Sequence, residues 1–114
     1  MSTLSTHVLD TSTGRPAEGL TLVLEARATG ESFLELSRGT TNADGRVKDL
    51  LGTASTLAPG VYRLTFDTGA WFQARGQRGF YPYVQVVFEI TATDEHYHVP
   101  LLLSPYGFST YRGS

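Results

Sequence analysis

The 114 residues predict an all-β chain, an antiparallel β-sandwich of short strands with one short helix. Three observations carry that prediction. Apolar side chains recur at every second position over most of the length, turn-forming clusters punctuate the runs, and one stretch between glycines drops the alternation altogether. Period two belongs to strands, whose successive side chains point to opposite faces. Several such runs at short spacing belong to a sandwich.

The first strand is expected over residues 3–10 and closes at the turn Thr13-Gly14-Arg15-Pro16. In 21–27, Leu22, Leu24 and Ala26 alternate with Thr21, Val23, Glu25 and Arg27, and a further strand is expected over 32–37. Asn42-Ala43-Asp44-Gly45 reads as a tight turn with Gly45 supplying positive φ, holding Arg46 at the start of the next strand. After Ala58-Pro59-Gly60, the run 60–67 puts Tyr62, Leu64 and Phe66 on one face. Residues 68–76 carry helix formers between Gly69 and Gly76 without alternation, which predicts a helix of about two turns. Strands follow over 84–91 and 97–103, then the turn Ser104-Pro105-Tyr106-Gly107 and a final strand over 108–112.

A chain of 114 residues forms one domain, taken as 1–114, and buries enough surface for its own core. A net charge of −2 with mixed signs offers no electrostatic footprint for nucleic acid or anionic lipid. No apolar run approaches the ~20 residues that span a bilayer. The opening MSTLSTHVLD lacks the basic and long apolar regions of a signal peptide, and there is no cysteine. The expected location is cytoplasmic.

Three histidines stand out. His7 lies in the first strand, and His96 and His98 flank Tyr97 in a late one, on one face and about 7 Å apart at a strand rise of roughly 3.4 Å per residue. The other face carries Tyr97, Val99, Leu101 and Leu103, while Pro100 and Leu102 continue the histidine face. A strand apolar on both faces lies inside the protein or under a second subunit. The His-x-His pair also has the spacing to chelate a metal if a third ligand arrives, the nearest acids being Asp94 and Glu95 at the strand entrance. A lone histidine or a strand-end arginine is otherwise an ordinary solvated residue. The aromatic run Tyr106-Gly107-Phe108 suggests that the chain end docks, which would fix Tyr111, Arg112 and the Ser114 carboxylate. No nucleophile elbow, phosphate loop or dinucleotide fingerprint occurs.

The segment from His7 to Ala17, HVLDTSTGRPA, resembles the opening signature of transthyretin and its relatives, and Tyr97 to Ser109, YHVPLLLSPYGFS, resembles their second signature. The ending Tyr111-Arg112-Gly113-Ser114 is similar to that of the enzyme branch, the 5-hydroxyisourate hydrolases, rather than of the hormone carriers. The resemblance runs end to end. It implies a transthyretin-like (prealbumin-like) eight-stranded sandwich, assembled as a homotetramer, a dimer of dimers around a central channel. It further implies that His7, Arg46 and His98 are catalytic and that His7, Arg46, Tyr111, Arg112 and Ser114 bind the substrate. Neither cofactor nor metal is implied. In the carrier branch the positions of His7 and His98 hold lysine and threonine, and that of Arg46 an acid. His96 lies outside the motif core and is expected behind the site.

The reaction so implied is addition of water to a ring amide carbonyl of 5-hydroxyisourate, a small-molecule substrate of urate breakdown. The product is 2-oxo-4-hydroxy-4-carboxy-5-ureidoimidazoline. Either His7 or His98 suits the role of base near neutral pH. Arg46 suits the electrophilic role, its planar fork matching a carbonyl or anionic ring oxygen. Rival expectations are a carrier that binds an aromatic ligand in the same channel, and a purely structural β-domain. A carrier would leave His7, Arg46 and His98 unpaired around an apolar ligand, at a desolvation cost.

Overall fold

The computed structural model describes residues 3–47, 50–51 and 57–113. Among them are nine strands and one helix: β1 (Thr3–Asp10), β2 (Arg15–Pro16), β3 (Thr21–Arg27), β4 (Phe33–Thr40), β5 (Arg46–Val47), β6 (Gly60–Phe66), α1 (Thr68–Ala74), β7 (Val84–Ile90), β8 (His96–Ser104) and β9 (Gly107–Thr110). One sheet runs β2-β1-β8-β9 with β5 also paired to β1, and the other runs β4-β3-β6-β7.

The alternation read from the sequence becomes burial. On β1, Leu4, Thr6, Val8 and Asp10 are buried and the residues between them are not; on β6, Tyr62, Leu64 and Phe66 point inward. With Leu22, Leu24, Trp71, Phe72, Val84, Ile90, Tyr97, Leu101 and Leu103 these form the core between the two sheets. Burying one such aliphatic or aromatic side chain stabilises the fold by about 1.5–3 kcal/mol. Among the described residues the Thr68 hydroxyl is buried without a partner, whereas the Thr6 hydroxyl donates to the Val99 carbonyl at 2.6 Å. Trp71 Nε1 donates to the Glu18 carbonyl at 2.7 Å, tying α1 to the loop before β3.

Two features depart from the expectation. The sheet that carries the histidines is mixed, because β1 and β8 run parallel from Thr3↔His96 to Asp10↔Leu103. All other strand pairings among the described residues are antiparallel. Two strands, β2 and β5, have only two residues each, so the count among the described residues is nine and not eight. The residues 15–16, expected within a turn, gain strand geometry by pairing back onto Leu9 and Asp10.

Candidate active site

Four short pieces of chain bring the chemistry-bearing residues together on the outer face of the histidine sheet. On β1 the outward set is Thr3, Ser5, His7 and Leu9; on β8 it is His96, His98, Pro100 and Leu102. The parallel register sets Ser5 opposite His98 and His7 opposite Pro100. On the other side of β1, Arg46 stands directly opposite His7. Directly opposed residues of an antiparallel pair have Cβ atoms about 4.5–5.5 Å apart. His7, Arg46 and His98 therefore share one patch, although they are far apart in sequence.

The turn that presents Arg46 is built locally. Asn42 Oδ1 accepts the main-chain N–H groups of Asp44 (2.9 Å) and Arg46 (3.1 Å). The Gly45 N–H donates to the Asn42 carbonyl at 2.9 Å. Gly45 has φ +74°, and a Cβ there would run into the Val8 carbonyl oxygen. Glycine is the residue that both conditions admit.

His98 is held on three sides. Its Nδ1 lies 2.8 Å from the Ser5 hydroxyl. The Gly113 N–H donates to the His98 carbonyl at 2.9 Å, and Gly113 comes so close to the ring that a Cβ at 113 would collide with His98 Cδ2. Burial, first, and then the fields of Arg46, His96 and His7 push the His98 imidazole below its ordinary value, against a weaker pull from the Ser5 main chain. Positive neighbours and partial burial both disfavour the imidazolium. Both favour the neutral ring, the form a general base requires.

His96 lies behind His98, its ring 6.3 Å away and 16° from parallel. Its Nε2 is 3.1 Å from the Ser5 hydroxyl and its Nδ1 meets the Thr3 hydroxyl. Among the described residues no three His, Cys, Asp or Glu side chains converge as a metal-ligand set.

The chain end contributes unequally. A cavity of about 290 Å³ at the open edge between β7 and β9 is lined in part by His98, Tyr111 and Arg112, and reaches neither His7 nor Arg46. Tyr111 is exposed at the rim of this cavity. Arg112 Nη2 reaches the His96 main-chain carbonyl at 3.5 Å. Its guanidinium pairs with Glu95 at 2.8 Å and lies 4.5 Å from the Tyr97 ring centroid. Ser114 lies outside the described residues. Ser5, Thr3 and Gly113 were not singled out from sequence. Only the parallel pairing of β1 with β8 gives the two hydroxyls their meaning, and alternation within one strand says nothing of which strand lies beside it.

Known proteins resemble this chain over its whole length. The family model described as "HIUase/Transthyretin family" matches residues 4–113. The 5-hydroxyisourate hydrolase of Mus musculus is 53% identical, over 99% of this chain and 96% of its own. The solved structure of Klebsiella pneumoniae 5-hydroxyisourate hydrolase superposes with a TM-score of 0.86 at 46% identity, covering 100% of both chains. Sea bream transthyretin in complex with thyroxine superposes with a TM-score of 0.89 at 30% identity, over 96% of this chain and 93% of that one.

Proposed function

Because the chain belongs to the HIUase/transthyretin family, we propose that it hydrolyses 5-hydroxyisourate to 2-oxo-4-hydroxy-4-carboxy-5-ureidoimidazoline without a metal or cofactor. The observation that carries this reading is the outward patch that joins His7, Arg46 and His98 across three strands. The full-length likeness to named hydrolases supports it.

In this reading His98 Nε2 removes a proton from water as the oxygen attacks the ring amide carbonyl. Arg46 hydrogen-bonds the oxygen on which negative charge develops, a role suited to a fixed, permanently charged fork. Collapse of the tetrahedral intermediate breaks the C–N bond, and the imidazolium returns its proton to the departing nitrogen. The product carboxylate keeps the water oxygen. His7, directly across from Arg46, holds the flat polar ring, and Tyr111 closes the site by stacking or hydrogen bonding. Ser114 follows the Gly113 bridge and is assigned to substrate binding with Tyr111. Arg112 joins them only if it leaves Glu95.

The likeness to sea bream transthyretin in complex with thyroxine favours a second reading, a carrier of an aromatic ligand. One experiment separates the two. 5-Hydroxyisourate is generated in place from urate by urate oxidase, and its ultraviolet decay is followed with and without the protein. Accelerated decay that falls by ~10²–10⁴-fold in His98→Ala, as expected for loss of a positioned base, supports the hydrolase. Spontaneous decay alone, with a folded protein, passes the case to the carrier. Near-normal kcat/KM in all of His7→Ala, Arg46→Ala and His98→Ala would refute the site. Activity unaffected by prolonged chelation is expected, and loss that zinc restores would refute metal independence.

A further inference from the structure

A single hydroxyl stands between two imidazoles. Ser5 Oγ lies 2.8 Å from His98 Nδ1 and 3.1 Å from His96 Nε2, while His96 Nδ1 meets the Thr3 hydroxyl. The parallel register fixes this arrangement, setting Thr3 opposite His96 and Ser5 opposite His98 on the same face.

A hydroxyl has one proton to give, and a neutral imidazole donates from one nitrogen and accepts at the other. The ladder therefore has two self-consistent polarities. In the first, His98 Nδ1–H donates to Ser5, the Ser5 O–H donates to His96 Nε2, and His96 Nδ1–H donates to Thr3. His98 Nε2 then keeps its lone pair. In the second every donor is reversed, and His98 Nε2 carries hydrogen and cannot accept a proton from water. The nitrogen that a second hydrogen bond leaves free is the one available for chemistry.

We propose that Ser5 is a positioning residue for the hydrolysis, presenting His98 with Nε2 bare and passing the proton that His98 gains on to His96. The proposal rests on the reading of His98 as the base. When water gives its proton to His98 Nε2, the Nδ1–H proton moves to Ser5 Oγ as the Ser5 proton moves to His96 Nε2. The positive charge then sits on His96, at the exposed end of the ladder, rather than on His98 beside Arg46. The reverse shift restores the His98 imidazolium when the departing nitrogen needs a proton. Every bond broken in one direction is reformed in the other, and Ser5 is unchanged over the cycle.

The test uses the full protein with ¹⁵N-labelled histidine, as wild type, Ser5→Ala and Ser5→Thr. Ring nitrogen shifts report the tautomer, and steady-state kinetics report kcat and KM. In the wild type at pH 7.5, His98 Nδ1 is expected to be of the protonated type and Nε2 of the bare type. In Ser5→Ala, His98 becomes a mixture of tautomers and kcat falls about tenfold, the population equivalent of one net hydrogen bond. KM should stay within about twofold, because an interaction with the base and not with the substrate is lost. Ser5→Thr, which restores a hydroxyl, should recover both signatures. A wild-type His98 with hydrogen on Nε2, or kcat in Ser5→Ala within about twofold of wild type, overturns the proposal. His98→Ala is run alongside. Full activity there removes the base assignment itself, whereas loss there with an unaffected Ser5→Ala overturns only the ladder.

Discussion

Relative to an exposed imidazole, whose usual value is about 6.5, His98 is shifted toward its neutral form, because burial, Arg46, His96 and His7 all oppose its charge. The sign for catalysis follows directly. A base whose value is lowered stays functional as the medium is acidified past the ordinary imidazole range, so the acid limb of kcat/KM should have its midpoint below about 6.5. Arg46→Gln removes one of the opposing charges and should move that limb upward while lowering kcat. A pH–rate profile of both proteins checks this, and a limb that does not move would mean that Arg46 does not act on the base. Gly113 yields a second residue-scale expectation. Gly113→Ala forces either the bridge to His98 or the ring itself to shift. It should cost kcat about tenfold or more, since small misplacements of a reacting group are expensive, with the melting temperature nearly unchanged at so late a position. His7, Arg46 and His98 were legible in the sequence through residue type and resemblance. Ser5 was not, because a serine on an alternating strand is unremarkable until its neighbour is known.

At the level of elements, the turn 42–45 was legible because its chemistry is local. Asn42 bonds to its own following main chain, and Gly45 takes a φ that other residues resist. Gly45→Ala should destabilise the fold by more than about 1 kcal/mol and displace Arg46, lowering Tm and kcat together; thermal denaturation and kinetics on the same sample check it. The two-residue strands β2 and β5 were not legible, since each is defined only by what β1 offers opposite it. The strand β4 also runs to Thr40, beyond the expected end at 37, because Arg38, Gly39 and Thr40 pair in unbroken register with Val23, Leu22 and Thr21 of β3. On the neighbouring β6, Arg63 Nε and Nη2 hold both oxygens of Glu25 at 3.0 and 2.7 Å, and the Thr65 hydroxyl donates to the same carboxylate at 2.6 Å. The Arg63 hydrogen bonds, against burial, hold the Glu25 carboxyl below its usual range. The stability this pair adds is present above the ordinary carboxylate value and is lost as pH falls through the lowered one.

For the whole molecule, the open features are its edges. β7 and β9 each end a sheet, and exposed Val87, Phe108 and Tyr111 lie along them. Unpaired strand edges with apolar side chains invite pairing with another copy. Pro100 is buried and Leu102 half-buried on the outward, histidine side of β8, which is therefore apolar on both faces. A homotetramer, which the resemblance implies, would account for both and would wall in a patch that one chain leaves open. Light scattering at micromolar concentration should report four chains, and activity per chain should fall on dilution through the dissociation range. A fully active monomer would contradict a site completed at an interface. Assembly had no signature of its own in the sequence beyond the two-faced apolar strand, since periodicity records what one chain buries and not what covers it.

The parallel clasp of β1 with β8 ties the first strand to nearly the last, with Ser5 and His98 93 positions apart. Contacts so distant along a chain close late, after local hairpins have formed. A nascent chain emerging from the ribosome cannot assemble this site until β8 is free, however well β3 has already paired with β4 and β6 with β7. During refolding, the environment of Trp71 should therefore settle before activity returns. The patch of His7, Arg46 and His98 then marks the arrival of β8 beside β1, and a chain cut before β8 lacks it altogether.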